Sequence, residues 1–332
     1  MRLHQDVNAF RVLIEDIHNR TGYREDVIEK DYYVVLILSE LAKMQNEGLP
    51  AYFKGGTALY KALKTTNRFS EDIDLSVDTR GCSNTQNNKR LENATKKYTS
   101  LPRDRSQSVT NRSEVIAVYT YEPVTTYDIG DSLQRFGKLK IEATSFTISE
   151  PVDDLEITPI VYDFATEEQK KVLMENYGVV PFTVKAMTIE RIFVDKLFAA
   201  EAYVRMSHIS HRAFEAAKHI YDLVILKDHP KIKALYGNED LLDSLLKIRI
   251  VEEQERLDGI PGVLPAEFSF FDDAFASREV REAYDVMQRQ YVFKDSDCIT
   301  YNDAMDGLTE ISARLRENVA WVRADFTEGE RL

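Results

Sequence analysis

Cysteine is scarce in this chain of 332 residues, which contains only Cys82 and Cys298. Two cysteines so far apart in sequence provide neither a disulfide framework nor the spacing of zinc ligands, and we expect free thiols. The six histidines form no zinc-protease pattern. No apolar run approaches the ~18 residues that span a bilayer, and the first residues lack the apolar part of a signal peptide. We therefore expect a cytoplasmic protein without membrane contact.

Positive charge is also in deficit. The chain has 56 acidic and 43 basic residues, a net charge of −13, which opposes non-specific binding of nucleic acid over the whole surface. Residues 83–113 are the exception, with seven basic residues against two acidic ones. The basic ones are Lys89, Arg90, Lys96, Lys97, Arg103, Arg105 and Arg112. This segment favours an RNA backbone electrostatically, although an ordinary solvated face is the alternative interpretation.

The pattern of apolar residues predicts an α/β protein of roughly two domains. Helices are predicted over 3–20, 24–45, 57–66, 188–204, 211–226, 239–257, 277–292 and 301–322. Strands are predicted over 51–54, 72–77, 114–124 and 137–146, and 79–113 is predicted as a solvated helix with loose flanks. We divide the chain into an N-terminal helical segment (1–48), a core (49–186) and a C-terminal helical domain (187–332).

The most informative motif is a Lys-Gly-Gly-Thr turn at 54–57, followed fourteen residues later by an Asp-Ile-Asp strand. Gly55 and Gly56 allow the backbone to approach a ligand closely, and the helix after them offers N–H groups suited to a phosphate. On a strand, Asp72 and Asp74 project to the same face. Their repulsion is relieved by a divalent cation, so we predict a Mg²⁺ site beside a nucleoside triphosphate. Either half alone would more often be a glycine hinge or an acidic surface turn; the combination is much rarer.

A buried charge is predicted in the C-terminal half. Lys196 falls within the apolar stripe of the helix 188–204, where a cation needs a partner. Asp222 is the polar residue in the apolar run 220–226, so it is predicted to face inward as well. The two could form a structural ion pair. Alternatively, Lys196 could neutralise phosphate charge and Asp222 could orient it or act as a base.

Residues 53–78 resemble the motif of the AbiEii/AbiGii-type nucleotidyl transferases, toxins of bacterial abortive-infection and toxin–antitoxin systems. Residues 27–33, 190–197 and 218–223 are similar to further motifs of that family, so the resemblance covers about 25–230 and leaves the last hundred residues unmatched. It implies a small mixed-sheet, polymerase-β-like core with N-terminal helices and a C-terminal helical domain. It also implies transfer of NMP from NTP with Mg²⁺ or Mn²⁺, an RNA acceptor such as the tRNA 3′ end, and an antitoxin partner.

The resemblance also implies roles for particular residues. The metal ligands would be Asp72, Asp74 and Glu142; the triphosphate would contact Gly55, Gly56, Thr57, Arg68 and Ser70; the remaining catalytic residues would be Lys196 and Asp222. Plainer interpretations stay open for several of them. Glu142 could be a solvent-facing glutamate beside Lys140, Arg68 could pair with Glu71, and Ser70 could cap a turn. Lys30 and Asp31, in the family's Glu-Lys-Asp-Tyr helix, could be an exposed pair on an amphipathic helix.

Three competing functions remain at this stage. One is a nucleotidyltransferase that modifies small molecules such as aminoglycosides, which the basic segment disfavours. Another is a nucleotidyltransferase that modifies proteins. The third, from a different class, is an inactive binding scaffold, against which the intact Asp72 and Asp74 argue.

Overall fold

The computed structural model describes residues 1–64, 68–111, 113–126, 136–209, 211–256, 263–271, 278–292 and 295–325. Some sequence predictions fall outside these ranges: Arg112 of the basic segment, and helix ends at 65–66, 257 and 277. The chain forms two compact units, Met1–Met187 and Thr188–Leu332. The predicted helical segment 1–48 and the predicted core therefore lie in the same unit. No helix among the described residues is long and apolar enough to cross a membrane.

The described residues of the first unit form a seven-stranded mixed sheet at its centre. Its strands are β1 (Ala51–Lys54), β2 (Ile73–Val77), β3 (Arg103–Thr110), β4 (Glu114–Thr120), β5 (Lys138–Thr144), β6 (Val152–Ile157) and β7 (Phe182–Met187). Their order across the sheet is β3-β4-β5-β2-β1-β7-β6. The β2–β5 and β1–β7 pairs are parallel and the others antiparallel. The predicted mixed α/β class is thus confirmed.

Six helices of this unit lie within the described residues. They are α1 (Val7–Thr21), α2 (Glu25–Asn46), α3 (Gly55–Leu63), α4 (Asn84–Lys96), α5 (Ile160–Asp163) and α6 (Glu167–Tyr177). Helix α1 shows why they form where they do: Asp6 caps it by accepting from the Ala9 N–H, and Gly22 ends it in the left-handed conformation. Helix α2 packs against β7 and α1, whereas α4 packs against β2, β4 and β5.

The predicted loose flank after α4 is wrong, because residues 103–110 form strand β3. This strand pairs with β4 at the edge of the sheet built by the described residues. Seven of its eight residues are polar or charged, so the apolar alternation that reveals a half-buried strand is missing. Polar and charged side chains on an edge strand also discourage pairing with another chain.

The second unit is helical in its described part, apart from short 3₁₀ turns. Its helices are α7 (Ile189–Arg205), α8 (Arg212–Leu226), α9 (Pro230–Tyr236), α10 (Glu239–Arg256), α11 (Arg278–Tyr291), α12 (Tyr301–Arg316) and α13 (Val319–Arg323). Helix α8 is central, since α7, α11 and α12 all pack against it. The single helix predicted over 301–322 is divided, because Asn318 caps α13 by accepting from the Ala320 N–H.

Candidate active site

Three predicted site carboxylates meet on one face of the sheet. Strands β2 and β5 are parallel neighbours, and their register places Asp74 opposite Glu142. Directly opposed residues on neighbouring strands project to the same face. Asp72 lies two positions before Asp74 and projects the same way. The opposite face is apolar, as the fully buried Ile73 and Ile141 illustrate. Strand register therefore brings together residues that are 68 or more positions apart in sequence.

A lysine that sequence reasoning did not assign lies among these carboxylates. Lys140 stands two positions before Glu142 on β5 and shares its face. Its Nζ lies 3.0 Å from Asp72 Oδ2 and 3.2 Å from Glu142 Oε2. Burial alone would lower the pKa of Lys140, but the charges of Asp72 and Glu142 outweigh it and raise that pKa. The alternate spacing of Lys140 and Glu142 is the sequence feature that could have indicated this contact.

The protein environment perturbs the carboxyl group of Asp74 strongly. Burial raises its pKa, and the charges of Asp72 and Glu142 raise it further, to about 7. The positive charges of Lys54 and Lys140 act in the opposite direction. The two lysine charges therefore do not balance the three carboxylates. The excess negative charge of the site attracts a cation.

The donor chemistry of the three carboxylates fits a hard divalent cation, because Mg²⁺ and Mn²⁺ prefer oxygen ligands. As the side chains are arranged, however, no group of three His, Cys, Asp or Glu residues in the described ranges could hold a metal ion. Between Asp72 and Glu142 lies the Lys140 ammonium instead. Metal ligation by Asp72, Asp74 and Glu142 accordingly stays a prediction.

Lys54 supplies a second positive charge beside Asp74. The antiparallel register of β1 and β2 places the two residues opposite each other. The Lys54 Nζ donates to the hydroxyl oxygens of Thr144 and Thr147, each at 3.0 Å. The charge of the ammonium held by these bonds acts on Asp74. Lys54 belongs to the sequence motif, but its pairing with Asp74 depends on strand register.

The two glycines allow helix α3 to begin against the carboxylates. Gly55 has φ of 78°, and a Cβ there would lie 2.3 Å from Asp74 Oδ2. A Cβ on Gly56 would lie 2.6 Å from the Ser70 hydroxyl oxygen and 3.2 Å from Arg68 Nη2. Real side-chain carbons do not approach so closely, so both positions require glycine. Helix α3 begins at Gly55 with no side-chain cap from its N-cap residue Lys54, which leaves its first N–H groups suited to an anion.

Thr57 and Ser70 connect α3 to the carboxylate strand. The Thr57 hydroxyl donates to the Asp72 carbonyl oxygen at 2.5 Å and lies 3.1 Å from the Ser70 hydroxyl. Arg68 is buried and donates to the Phe69 carbonyl oxygen at 3.0 Å. These residues thus surround the start of α3, and whether they bind phosphate is a prediction.

In the second unit, Lys196 on α7 and Asp222 on α8 form a buried ion pair. Lys196 Nζ lies 2.6 Å from Asp222 Oδ2, and both residues are 4% exposed. The inward orientation predicted from the apolar stripe is confirmed. The structural and the functional interpretation of this pair both stay open, because each requires the same contact.

A family model for the nucleotidyl transferase AbiEii toxin of type IV toxin–antitoxin systems matches residues 37–314. The chain belongs to this family. The predicted family is confirmed, and the match reaches well beyond residue 230, where the resemblance read from sequence had ended. Comparison with curated proteins gave no significant match. AbiEii-family membership assigns the protein to nucleotidyl transferases that act as toxins.

The Glu-Lys-Asp-Tyr motif of helix α2, at residues 29–32, precedes the part of this AbiEii-family protein that the family model matches. The alternative of an exposed Lys30–Asp31 pair is wrong, because Lys30 is 2% exposed and Asp31 is fully buried. They also have different partners. Lys30 Nζ lies 2.5 Å from Glu71 Oε2, immediately before Asp72 in sequence. Charged residues of helix α2 thus support the carboxylate strand from inside the unit.

The neighbours of Lys30 anchor two further segments. Asp31 accepts from the Tyr60 hydroxyl at 2.5 Å and the Ile160 N–H at 2.6 Å, and it forms an ion pair with Lys61. Since Tyr60 and Lys61 belong to α3, Asp31 holds the helix that begins at the two glycines. Glu29 accepts from the backbone N–H groups of residues 124 and 125 at 2.7 and 3.0 Å.

The basic segment 83–113 consists of α4, β3 and their connection. Its members Lys89, Lys97 and Arg105 are exposed. Two others have partners within the protein: Lys96 pairs with Glu92 at 2.8 Å, and Arg90 donates to the Asp78 carbonyl oxygen at 2.6 Å. In the sheet, β3 is separated from β2 by β4 and β5. The segment therefore follows the carboxylate strand in sequence, but its β3 part lies three strands away.

Proposed function

We propose that this AbiEii-family protein transfers NMP from a nucleoside triphosphate to an acceptor hydroxyl and acts as the toxin of a toxin–antitoxin pair. The observation that carries the proposal is the row of Asp72, Asp74 and Glu142 beside the glycine-opened helix α3. The sheet would be a polymerase-β-like core (49–186), flanked by an N-terminal helical segment (1–48) and a C-terminal helical domain (187–332). Family membership supports the reaction class.

The acceptor oxygen attacks the α-phosphorus while the bond from that phosphorus to the oxygen bridging to the β-phosphate breaks. Pyrophosphate leaves, and the hydroxyl proton passes to a base. The N–H groups of Gly55, Gly56 and Thr57 bind the triphosphate, and Arg68 and Ser70 add contacts. Asp72, Asp74 and Glu142 would hold Mg²⁺ or Mn²⁺, which supplies positive charge to the phosphate oxygens.

Two residues of the second unit have proposed catalytic roles. Lys196 neutralises charge that develops on the phosphates. Asp222 either orients the Lys196 ammonium through their 2.6 Å contact or accepts the acceptor proton. Family membership and the burial of both charges support these roles, because a buried ion pair contributes little to net stability and is a candidate for function.

The transfer itself is tested by incubating the protein with each labelled NTP, Mg²⁺ and total RNA. We expect label to enter RNA with wild type, and Asp72→Ala and Asp74→Ala to lose transfer by at least about 100-fold with little loss of fold. Asp154→Ala is the matched control, since Asp154 is exposed on β6 and should keep full activity. Full activity in either site variant would exclude the proposed metal ligands.

RNA is the proposed acceptor, bound at basic residues of segment 83–113 that include the exposed Lys89 and Lys97 and the partly exposed Lys96. Replacing Lys89, Lys96 and Lys97 by Ser should weaken RNA binding and reduce the slope of log K against log salt by about two, at roughly 0.7 per contact for single strands. Arg90 is left in place because it holds the Asp78 carbonyl. The control replaces Lys43, Lys171 and Lys247, three exposed lysines elsewhere. Equal slopes in the two variants would place the acceptor outside the basic segment.

A further inference from the structure

Lys140 lies among Asp72, Asp74 and Glu142, and the proposed reaction does not explain its position there. Its ammonium bridges Asp72 and Glu142 at 3.0 and 3.2 Å. The ammonium thus occupies the space between two carboxylates that the proposed reaction assigns to the metal. The Lys140 ammonium therefore contacts the same carboxylate oxygens that a divalent cation would have to bind.

The bridge is accessible to solvent. The side chains of Lys140, Asp72 and Glu142 are 38%, 40% and 26% exposed. Exposed ion pairs are weak and exchange readily, because water screens them and long side chains lose entropy on pairing. Lys140 can therefore leave without unfolding β5, whose buried apolar positions are Leu139, Ile141 and Ala143. In contrast, the ion pair of Lys30 with Glu71 is almost completely buried and could not open in this way.

Without Lys140, the three carboxylates would lose one of the two lysine charges that act on Asp74, and Lys54 would be the other. Lys54 is already held by the hydroxyl groups of Thr144 and Thr147. Lys140 thus reduces the repulsion among Asp72, Asp74 and Glu142 when no metal is present. The same charge must oppose any cation that approaches those carboxylates.

We propose that Lys140 is a built-in counter-ion that competes with the divalent cation for Asp72 and Glu142 and thereby sets the affinity for free metal. This inference rests on the proposed metal site. A divalent cation can bind Asp72 and Glu142 only if it displaces the Lys140 ammonium. The protein without nucleotide therefore binds free metal weakly. A metal–triphosphate complex brings both the cation and the phosphate oxygens with which a displaced ammonium can pair.

The inference is tested by titrating wild type and Lys140→Gln with Mn²⁺ alone, using calorimetry and the electron paramagnetic resonance signal of free Mn²⁺. Removing two exposed ion pairs should tighten Mn²⁺ binding by about 5- to 30-fold. Lys138→Gln is the matched control. Lys138 lies on the same face of β5 as Lys140, but its ammonium contacts Gln107 rather than a carboxylate. Its replacement by Gln removes the same charge from the strand. Its Mn²⁺ affinity should stay within about twofold of wild type.

Thermal unfolding gives an independent reading. In the presence of a chelator, Lys140→Gln should have a lower melting temperature than wild type. Saturating Mn²⁺ should raise the melting temperature of Lys140→Gln by more than that of wild type or Lys138→Gln. If Lys140→Gln binds Mn²⁺ equally or more weakly than wild type, while Asp72→Asn abolishes wild-type binding, the inference is overturned and the metal site stands. If neither wild type nor Lys140→Gln binds Mn²⁺ through Asp72, both the metal site and the inference fail.

Discussion

At the residue scale, we expect the charge of Asp74 to lower the stability of the metal-free protein. Its pKa of about 7 in the folded state lies above the ordinary aspartate value of 3.8, so folding takes up a proton between these two pH values. The stability associated with this carboxyl is fully present below pH 4 and is lost as the pH rises through 7. In a chelator, Asp74→Asn should therefore melt higher than wild type at pH 8, by on the order of 3–6 °C.

The same comparison at pH 5 should show a much smaller difference, because Asp74 is then largely protonated in wild type. Melting curves at the two pH values measure this directly. Asp154→Asn, on the exposed side of β6, should show no such pH dependence. An equal gain at pH 5 and pH 8 would mean that repulsion from Asp72 and Glu142 does not act on Asp74.

Variants of the buried Lys196–Asp222 pair can distinguish a role of the pair in stability from a role in catalysis. Lys196→Ala should lower the free energy of unfolding by about 3–5 kcal/mol, because Asp222 is left as an uncompensated buried charge. The double variant Lys196→Met with Asp222→Leu removes both charges and should recover most of that loss. We expect the double variant to fold but to transfer no nucleotide. Recovery of both stability and transfer would show that the pair is structural.

At the scale of single elements, α2 connects the parts of the site. Three consecutive buried charges on it, Glu29, Lys30 and Asp31, hold respectively the segment after β4, the residue before Asp72, and helix α3. Consecutive helix positions point in different directions, about 100° apart, so adjacent residues can reach separate segments. This geometry explains why a charged sequence occurs inside the unit: each charge has a partner that a different element supplies.

Asp31→Ala tests this role of α2. It removes the common partner of Lys61, the Tyr60 hydroxyl and the Ile160 N–H, so the free energy of unfolding should fall by about 3–5 kcal/mol. Denaturant titration measures the loss. Asp16→Ala on α1 is the control, because Asp16 and Arg20 form an exposed pair worth less than about 1 kcal/mol. Losses of similar size in the two variants would contradict the anchoring role.

At the scale of the whole molecule, the family match at 37–314 includes residues of both compact units. The toxin function that the family implies can be tested on the intact chain. Expression in bacteria without an antitoxin should arrest growth, and Asp74→Ala should restore colony counts by several orders of magnitude. Asp154→Ala should stay toxic at the same protein level. Harmless wild-type expression at that level would favour a nucleotidyltransferase with a small-molecule substrate.

The sequence alone determined the features that depend on local spacing. The two-residue period of a strand places Asp72 with Asp74 and Lys140 with Glu142, and the 3.6-residue period of a helix turns Lys196 and Asp222 inward. The glycine pair and the Asp-Ile-Asp strand were sufficient to indicate the family. Each of these follows from geometry within one element, which neighbouring residues in the chain are enough to specify.

Only the tertiary structure decided which elements meet. The pairing of β2 with β5, which unites Asp74 with Glu142, depends on a register between strands far apart in sequence. The contact of Lys30 with Glu71 and the bridge of Lys140 to Asp72 likewise join distant positions. Strand β3 is polar because it lies at an edge, so its position in the sheet, and not an apolar pattern, makes it a strand. These contacts depend on packing between residues that are far apart in sequence. The periodicity of apolar residues within one element carries no information about that packing.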